Sequence, residues 1–179
     1  MYIEICLGNK KLTSFSGGGI TAWKGSNTTF ENKYGVYIVD STVQKANSSL
    51  SIKGKCPLGR PWVRFPPSLY PPPKSKLIII QQNAQMRSIF ARTYLDDSIL
   101  PTGYIDWAPS RYNASNGNYS TVQAEYKNYG PGYNATARAL SLFDVQYNDS
   151  EWAPYSSPAE VFQDPEGKFG DVSWVDFTV

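Results

Sequence analysis

The chain has 179 residues, a net charge of +2, 15% aromatic residues and no histidine. That length suits one domain with a sizeable core, and the charge is too small to argue for a nucleic-acid partner. Without histidine, Ser-His-Asp and Cys-His catalysis and every histidine-based metal site are excluded, and two cysteines cannot build a zinc cage. Hydrolytic chemistry would have to run on Asp and Glu. No hydrophobic stretch is long enough to span a bilayer, so a membrane partner is not expected, nor is any cofactor or metal.

In chain order, Tyr2 to Leu7 opens as a strand-like run and lacks the basic region, apolar run and cleavage site of a secretory leader. Gly17-Gly18-Gly19 reads as a turn, and Ile20 to Gly25 as a further strand. Strand-like runs then recur at Tyr37 to Val43, Ser88 to Leu95 and Thr121 to Tyr126, separated by loops with no amphipathic helix between them. This pattern fits short strands stacked as coils, and fits a β-sandwich or barrel nearly as well.

Val63 to Gln82 stands apart, with Pro66-Pro67, Pro71-Pro72-Pro73 and an apolar Leu77-Ile78-Ile79-Ile80. It reads either as a polyproline loop or as a retained intron, since Val-Arg and Gln can be encoded by the ends of one. Asp96-Asp97 is the only adjacent carboxylate pair in the chain. In extended backbone the two would face opposite ways, so a solvated bend is expected rather than an acid/base pair.

Six asparagines, Asn27, Asn47, Asn113, Asn118, Asn134 and Asn148, begin Asn-x-Ser/Thr among eleven in all. About two would be expected from the frequency of Ser and Thr, so the excess predicts a secreted, extracellular glycoprotein whose leader is missing from these residues.

The stretch with most chemistry is Leu58-Gly59-Arg60-Pro61-Trp62. Gly59 lets the backbone come close to a neighbour or ligand, and Pro61 fixes the chain. Arg60 offers a planar fork for a carboxylate and Trp62 a flat apolar face, on the same side of an extended strand. An acidic sugar has both an acid group and a ring. The alternative is an arginine paired with a core carboxylate beside a core tryptophan.

Leu58 to Trp62 resembles the Leu-Gly-Arg-Pro-Trp signature of pectin methylesterases (pectinesterases). Pro101-Thr102-Gly103-Tyr104-Ile105-Asp106-Trp107 resembles the family's Pro-x-Gly-Trp-x-x-Trp, with Tyr104 for the first Trp. Ala124-Glu125-Tyr126-Lys127-Asn128-Tyr129-Gly130-Pro131-Gly132 resembles its Gly-Glu-Tyr-x-Asn-x-Gly-Pro-Gly. Pro57 departs from the Tyr that usually precedes the first signature.

The resemblance implies an all-β fold, the C-terminal coils of an incomplete right-handed parallel β-helix with a short, fungal-like C-terminal helical tail. One domain would span 1–179, with an atypical Pro-rich insertion at about 63–82. The implied activity is that of an aspartyl-type carboxylic ester hydrolase removing methyl esters from polygalacturonate in cell-wall modification. Pectin is the expected partner, and the protein is expected to be a monomer.

In the family Arg60 would orient the nucleophile and face the galacturonate carboxylate, while Trp62 would stack on a sugar ring. The family's aspartates sit in Gln-Asp-Thr-Leu-like and Asp-Phe-Ile-Phe-Gly-like motifs, and neither occurs in these residues. The chain alone is therefore expected to be an inactive fragment. The alternative is a non-catalytic β-helix that binds acidic polysaccharide; a glycosidase or lyase using carboxylates on a related fold is the weaker third reading. Glu125, Tyr126 and Arg87 read as structural, with Arg87 also a candidate to flank substrate, and Trp107 as a core or cleft aromatic. Matching the motifs to coils sets Cys6 and Cys56 in different sheets, which argues against a disulfide between them.

Overall fold

The structure, a computed structural model, describes residues 2–5, 19–22, 33–60, 87–105 and 122–162. The described residues form mostly short strands in parallel sheets, with a few short helices near the C-terminus. The strands are β1 (Tyr2–Ile5), β2 (Val36–Val39), β3 (Thr42–Lys45), β4 (Arg87–Ala91), β5 (Tyr94–Leu95), β6 (Val122–Tyr126) and β7 (Val145–Gln146). One sheet has the order β1-β3-β5 and the other β2-β4-β6-β7, and every pairing is parallel. Consecutive strands from β1 to β6 therefore alternate between two sheets, and each of β1 to β4 pairs with the strand two places further along.

A third parallel ladder joins residues 19–22, 56–60 and 99–105. Its bridges are Thr21 with Gly59 and Cys56 with Ile99, and its hydrogen bonds include Thr21 N to Leu58 O (3.0 Å), Leu58 N to Gly103 O (3.0 Å) and Ile105 N to Gly59 O (3.0 Å). Pro57, which lacks a donor, still accepts from Ile20 N at 3.2 Å. The ladder is thus carried past the proline by its carbonyl.

Two of the sequence runs, each read as one strand, are broken at a corner. Tyr37 to Val43 is divided between β2 and β3, and Ser88 to Leu95 between β4 and β5. The cause is a left-handed residue at each corner, Asp40 (φ 47°) and Arg92 (φ 48°). Lys127 (φ 48°) does the same after β6, before Tyr129 bridges to Tyr94. These corners stack: Asp40 N donates to Ala91 O (3.0 Å) and Arg92 N to Tyr126 O (2.7 Å). Beside them Ser41, Thr93 and Asn128 point inward and satisfy corner carbonyls and amides, including Thr93 N to Asn128 Oδ1 at 2.9 Å.

The sheets enclose Ile38, Val43, Ile52, Cys56, Leu58, Phe90, Leu95, Ile99 and Tyr104. The larger sheet is apolar on its other face too, where Ile89, Ala91, Ala124 and Tyr126 meet Trp152. That face is covered by α2 (Asp149–Trp152), a 3-10 turn (Ala153–Tyr155) and α3 (Pro158–Phe162). Tyr126 stacks on Trp152 with ring centroids 5.2 Å apart, and Tyr155 stacks between Tyr37 and Tyr147. Lys33 Nζ ties the tail down by donating to Glu160 O (2.8 Å) and Pro154 O (3.2 Å). A sheet covered on both faces explains why β4 is buried along its whole length. Helix α1 (Ala135–Ala139) precedes β7 and was not foreseen from the sequence.

Cys56 is a buried free thiol in the third ladder. Its pKa is raised, chiefly by burial. Strand β1 pairs with β3 in a different sheet, while Cys6 itself lies outside the described residues. The expected insertion at 63–82 and the end of the tail after Phe162 lie outside them too.

Candidate functional site

Leu58, Gly59 and Arg60 lie in the middle row of the third ladder. Gly59 is there for a packing reason: a Cβ would overlap Thr21 Oγ1 and press on the ring of Tyr104. Those two side chains belong to the interior. Thr21 Oγ1 donates to Leu58 O (3.0 Å) and lies 2.8 Å from Ser88 Oγ, and Tyr104 OH donates to Ser88 O at 2.9 Å. The missing side chain of Gly59 therefore points inward.

In extended backbone the next residue projects the other way. Arg60, whose N–H donates to Thr21 O at 3.3 Å, follows Gly59 in the ladder, and its Nε is sealed from solvent. It stands in the row of exposed Ala22 and half-buried Ile105. Arg60 is itself half-buried, and burial lowers its pKa from the ordinary value. Partial desolvation strengthens the pull of a guanidinium on a neighbouring carboxylate. The arrangement can hold an anion against a ridge of small and apolar side chains. Trp62 and Trp107, the expected stacking and cleft aromatics, lie outside the described residues.

Asp40 and the Asp96-Asp97 pair have structural partners. Asp40 is paired with Arg92, whose Nε donates to Oδ1 at 2.7 Å. The Asp96-Asp97 bend is not solvated as expected, because Asp96 is buried. Its Oδ2 accepts from Lys45 N at 2.8 Å and its Oδ1 from Ser98 N at 2.9 Å, so it holds the turn together. Asp97 faces outward on Lys45 Nζ at 2.8 Å, which lowers its pKa. Arg87 is buried on the larger sheet beneath the ring of Tyr155, 5.3 Å from its centroid, rather than on the ladder of Arg60.

A second constellation is fully enclosed. Arg138 Nε donates to Glu125 Oε1 and lies 3.2 Å from Asp144 Oδ2, and all three side chains are sealed from solvent. Arg138 Nη1 also donates to Leu100 O (2.8 Å) and to Pro101 O. Glu125 Oε2 accepts from Asn128 Nδ2 (2.8 Å), and Gln146 Nε2 donates to Asp144 Oδ1 (2.9 Å). Gly103 (φ 73°) forms the floor, where any Cβ would overlap Asp144 Oδ2. The pKa of Asp144 is pushed up to about 10, first by burial and then by the charge and hydrogen bonding of Glu125. One guanidinium balances one carboxylate, so Asp144 holds its proton.

The third ladder joins residues 58–60 to residues 101–105, and Arg138 ties the latter to the Ala124-to-Gly132 segment. Sequence reading left Glu125 as structural but missed Arg138 and Asp144, which sit in no recognisable spacing. Carboxylates sealed in this way cannot meet a polymeric substrate. Among the described residues no group of three or more Cys, Asp or Glu could hold a metal ion.

Comparison with known proteins identifies no relative: no family model, no curated protein and no solved structure matches the chain.

Proposed function

We propose that this chain is the substrate-binding part of a secreted pectin methylesterase, built as the C-terminal coils of a right-handed parallel β-helix. Arg60 receives the galacturonate carboxylate and Trp62 stacks on a sugar ring. The fold reading draws on the alternation of strands between parallel ladders, and on the motif segments of the sequence lying next to one another. The observation that supports the site is a half-buried Arg60 following the inward-facing Gly59 on the third ladder, beside exposed Ala22.

In the complete reaction an aspartate would attack the methyl ester carbonyl, and a second would protonate the departing methoxide and then activate water. Arg60 would fix the nucleophile and bind carboxylate at the same face. Neither aspartate motif occurs in these 179 residues. Ester cleavage therefore belongs to a polypeptide that also carries them, and the protein as given is expected to bind but not to release methanol.

The test is a titration of the 179-residue protein with de-esterified and fully methylated oligogalacturonides. De-esterified ligand should bind, and Arg60→Ala should weaken it about ten- to a hundredfold, the worth of a charge-assisted hydrogen bond. Trp62→Ala should weaken both ligands. Unchanged affinity in both variants with the fold intact would refute the site. Methanol release lost on Asp40→Ala or Asp97→Ala would move the chemistry to those carboxylates. Binding without methanol release even when the aspartate motifs are supplied in one chain would favour a purely polysaccharide-binding β-helix.

A further inference from the structure

The described asparagines divide into two kinds. Asn128 is buried and spends its Nδ2 on Phe90 O (3.1 Å) and Glu125 Oε2 (2.8 Å); it is followed by Tyr129-Gly130 and is no glycosylation acceptor. Asn47, Asn134 and Asn148 each begin an acceptor triplet and are exposed, and the side chain of each accepts hydrogen bonds through Oδ1. Asn47 Oδ1 accepts from Ser49 N (2.9 Å) and Ser49 Oγ (2.8 Å). Asn148 Oδ1 accepts from Ser150 N (2.9 Å), Ser150 Oγ (2.6 Å) and Glu151 N (3.0 Å), capping α2. Asn134 Oδ1 accepts from Ala137 N (2.9 Å) and caps α1.

We infer that Asn47, Asn134 and Asn148 carry N-linked glycans, and that Asn134 and Asn148 do so while still capping their helices. The co-reactant is an oligosaccharide linked through diphosphate to a polyprenyl lipid. The asparagine Nδ2 forms a bond to sugar C1 and gives up one proton. The C1–O bond to the diphosphate breaks, and its electron pair leaves with the lipid diphosphate. No oxidation state changes. The product is still a carboxamide, so Oδ1 keeps its lone pairs and the cap survives.

The glycan is attached before the chain folds, so the folded structure has to accept it afterwards. An exposed asparagine held through Oδ1 does so, whereas attachment at Asn128 would break two buried hydrogen bonds. The inference rests on the secretory reading of the chain but not on its binding pectin.

The test expresses the full 179-residue chain behind an added secretory leader in eukaryotic cells. The leader separates the acceptor question from whether the natural chain is secreted, which the native polypeptide's own location answers. Enzymatic deglycosylation in oxygen-18 water should convert Asn47, Asn134 and Asn148 to labelled Asp in peptide mass spectra. All three unlabelled in secreted, folded protein would overturn the inference, and so would label at only some of them. Ser150→Ala should abolish label at Asn148 alone, because the hydroxyl of the triplet is lost while the Oδ1 bond from Glu151 N remains. If Asn148→Ala lowers the melting temperature and trimming the glycan to its first sugar, which leaves the carboxamide intact, does not, the cap and the glycan coexist as inferred. An equal drop in both would mean the sugar had replaced the cap.

Discussion

The inner column of the larger sheet changes character along its length. Ile38 pairs with Phe90, Phe90 with Glu125, and Glu125 with Gln146. At the Ile38–Phe90 end the neighbours are apolar, and burial needs no partner of particular geometry. At the Glu125–Gln146 end the same inward direction is filled by an ion cluster, in which each polar atom depends on another. Apolar rows lose stability in proportion to what is removed. A buried charged row loses most when one member goes, because the others remain buried without compensation.

The largest effects should come from breaking one residue at each end. Arg138→Met leaves two carboxylates facing each other in the interior and should cost about 3–5 kcal/mol. Phe90→Ala removes a fully buried ring and should cost a similar amount, about 3–5 kcal/mol. Their pH profiles separate them. The Arg138→Met penalty should shrink in acid, where the buried charge left without its guanidinium is neutralised by protonation, while the Phe90→Ala penalty should stay level. Urea unfolding of both variants at neutral and acidic pH measures this, and parallel profiles would show that the two ends are not energetically different.

A pH slope sharpens the same contrast. Asp144 has its pKa raised in the folded protein, so the folded state binds a proton that the unfolded state has released above about pH 4. Its contribution is fully present below the unfolded value and is lost as pH rises towards the folded one, with a slope of up to about 1.4 kcal/mol per pH unit. Asp144→Asn keeps the shape, supplies a permanent neutral amide and should flatten that slope. The variant should be nearer to wild type in acid and more stable than it at alkaline pH. A wild-type slope retained in Asp144→Asn would place the proton elsewhere in the cluster.

The sequence made some of this legible and hid the rest for physical reasons. Short strands were legible in the β-branched, aromatic runs, whereas their parallel pairing and a helical tail were expected only from the motif resemblance. The corners were not legible, because Asp40, Arg92 and Lys127 take the left-handed conformation with no glycine or proline to announce it. Stacked backbone hydrogen bonds from neighbouring rows impose it instead. Gly59 was legible as a close-approach position, although the neighbour proved to be Thr21 and Tyr104. Arg138 and Asp144 could not be read as a pair with Glu125. Their separation in the chain matches no helix or strand period, and only β6, α1 and β7 folding together brings them to one point.

The smallest expected effect concerns the surface counterpart of the buried cluster. Asp40 and Arg92 form an ion pair across two stacked corners, with side chains 62% and 38% exposed. Such pairs are worth roughly 0.2–1 kcal/mol, because water screens them. Asp40→Asn suits the test, since asparagine tolerates a positive φ and only the charge is lost. The pKa of Asp40 is lowered, first by its hydrogen bond to Arg92. Its contribution is therefore present above the unfolded carboxylate value and is lost as pH falls through the folded one, the reverse of Asp144. The Asp40→Asn penalty should appear at neutral pH in low salt, and vanish both in acid and in high salt. Asp40→Ala should cost about 1 kcal/mol more, since alanine also strains the left-handed corner, and that excess should not respond to salt. If Asp40→Asn proved as costly as Arg138→Met, or indifferent to salt, the corner pair would be acting as a buried one.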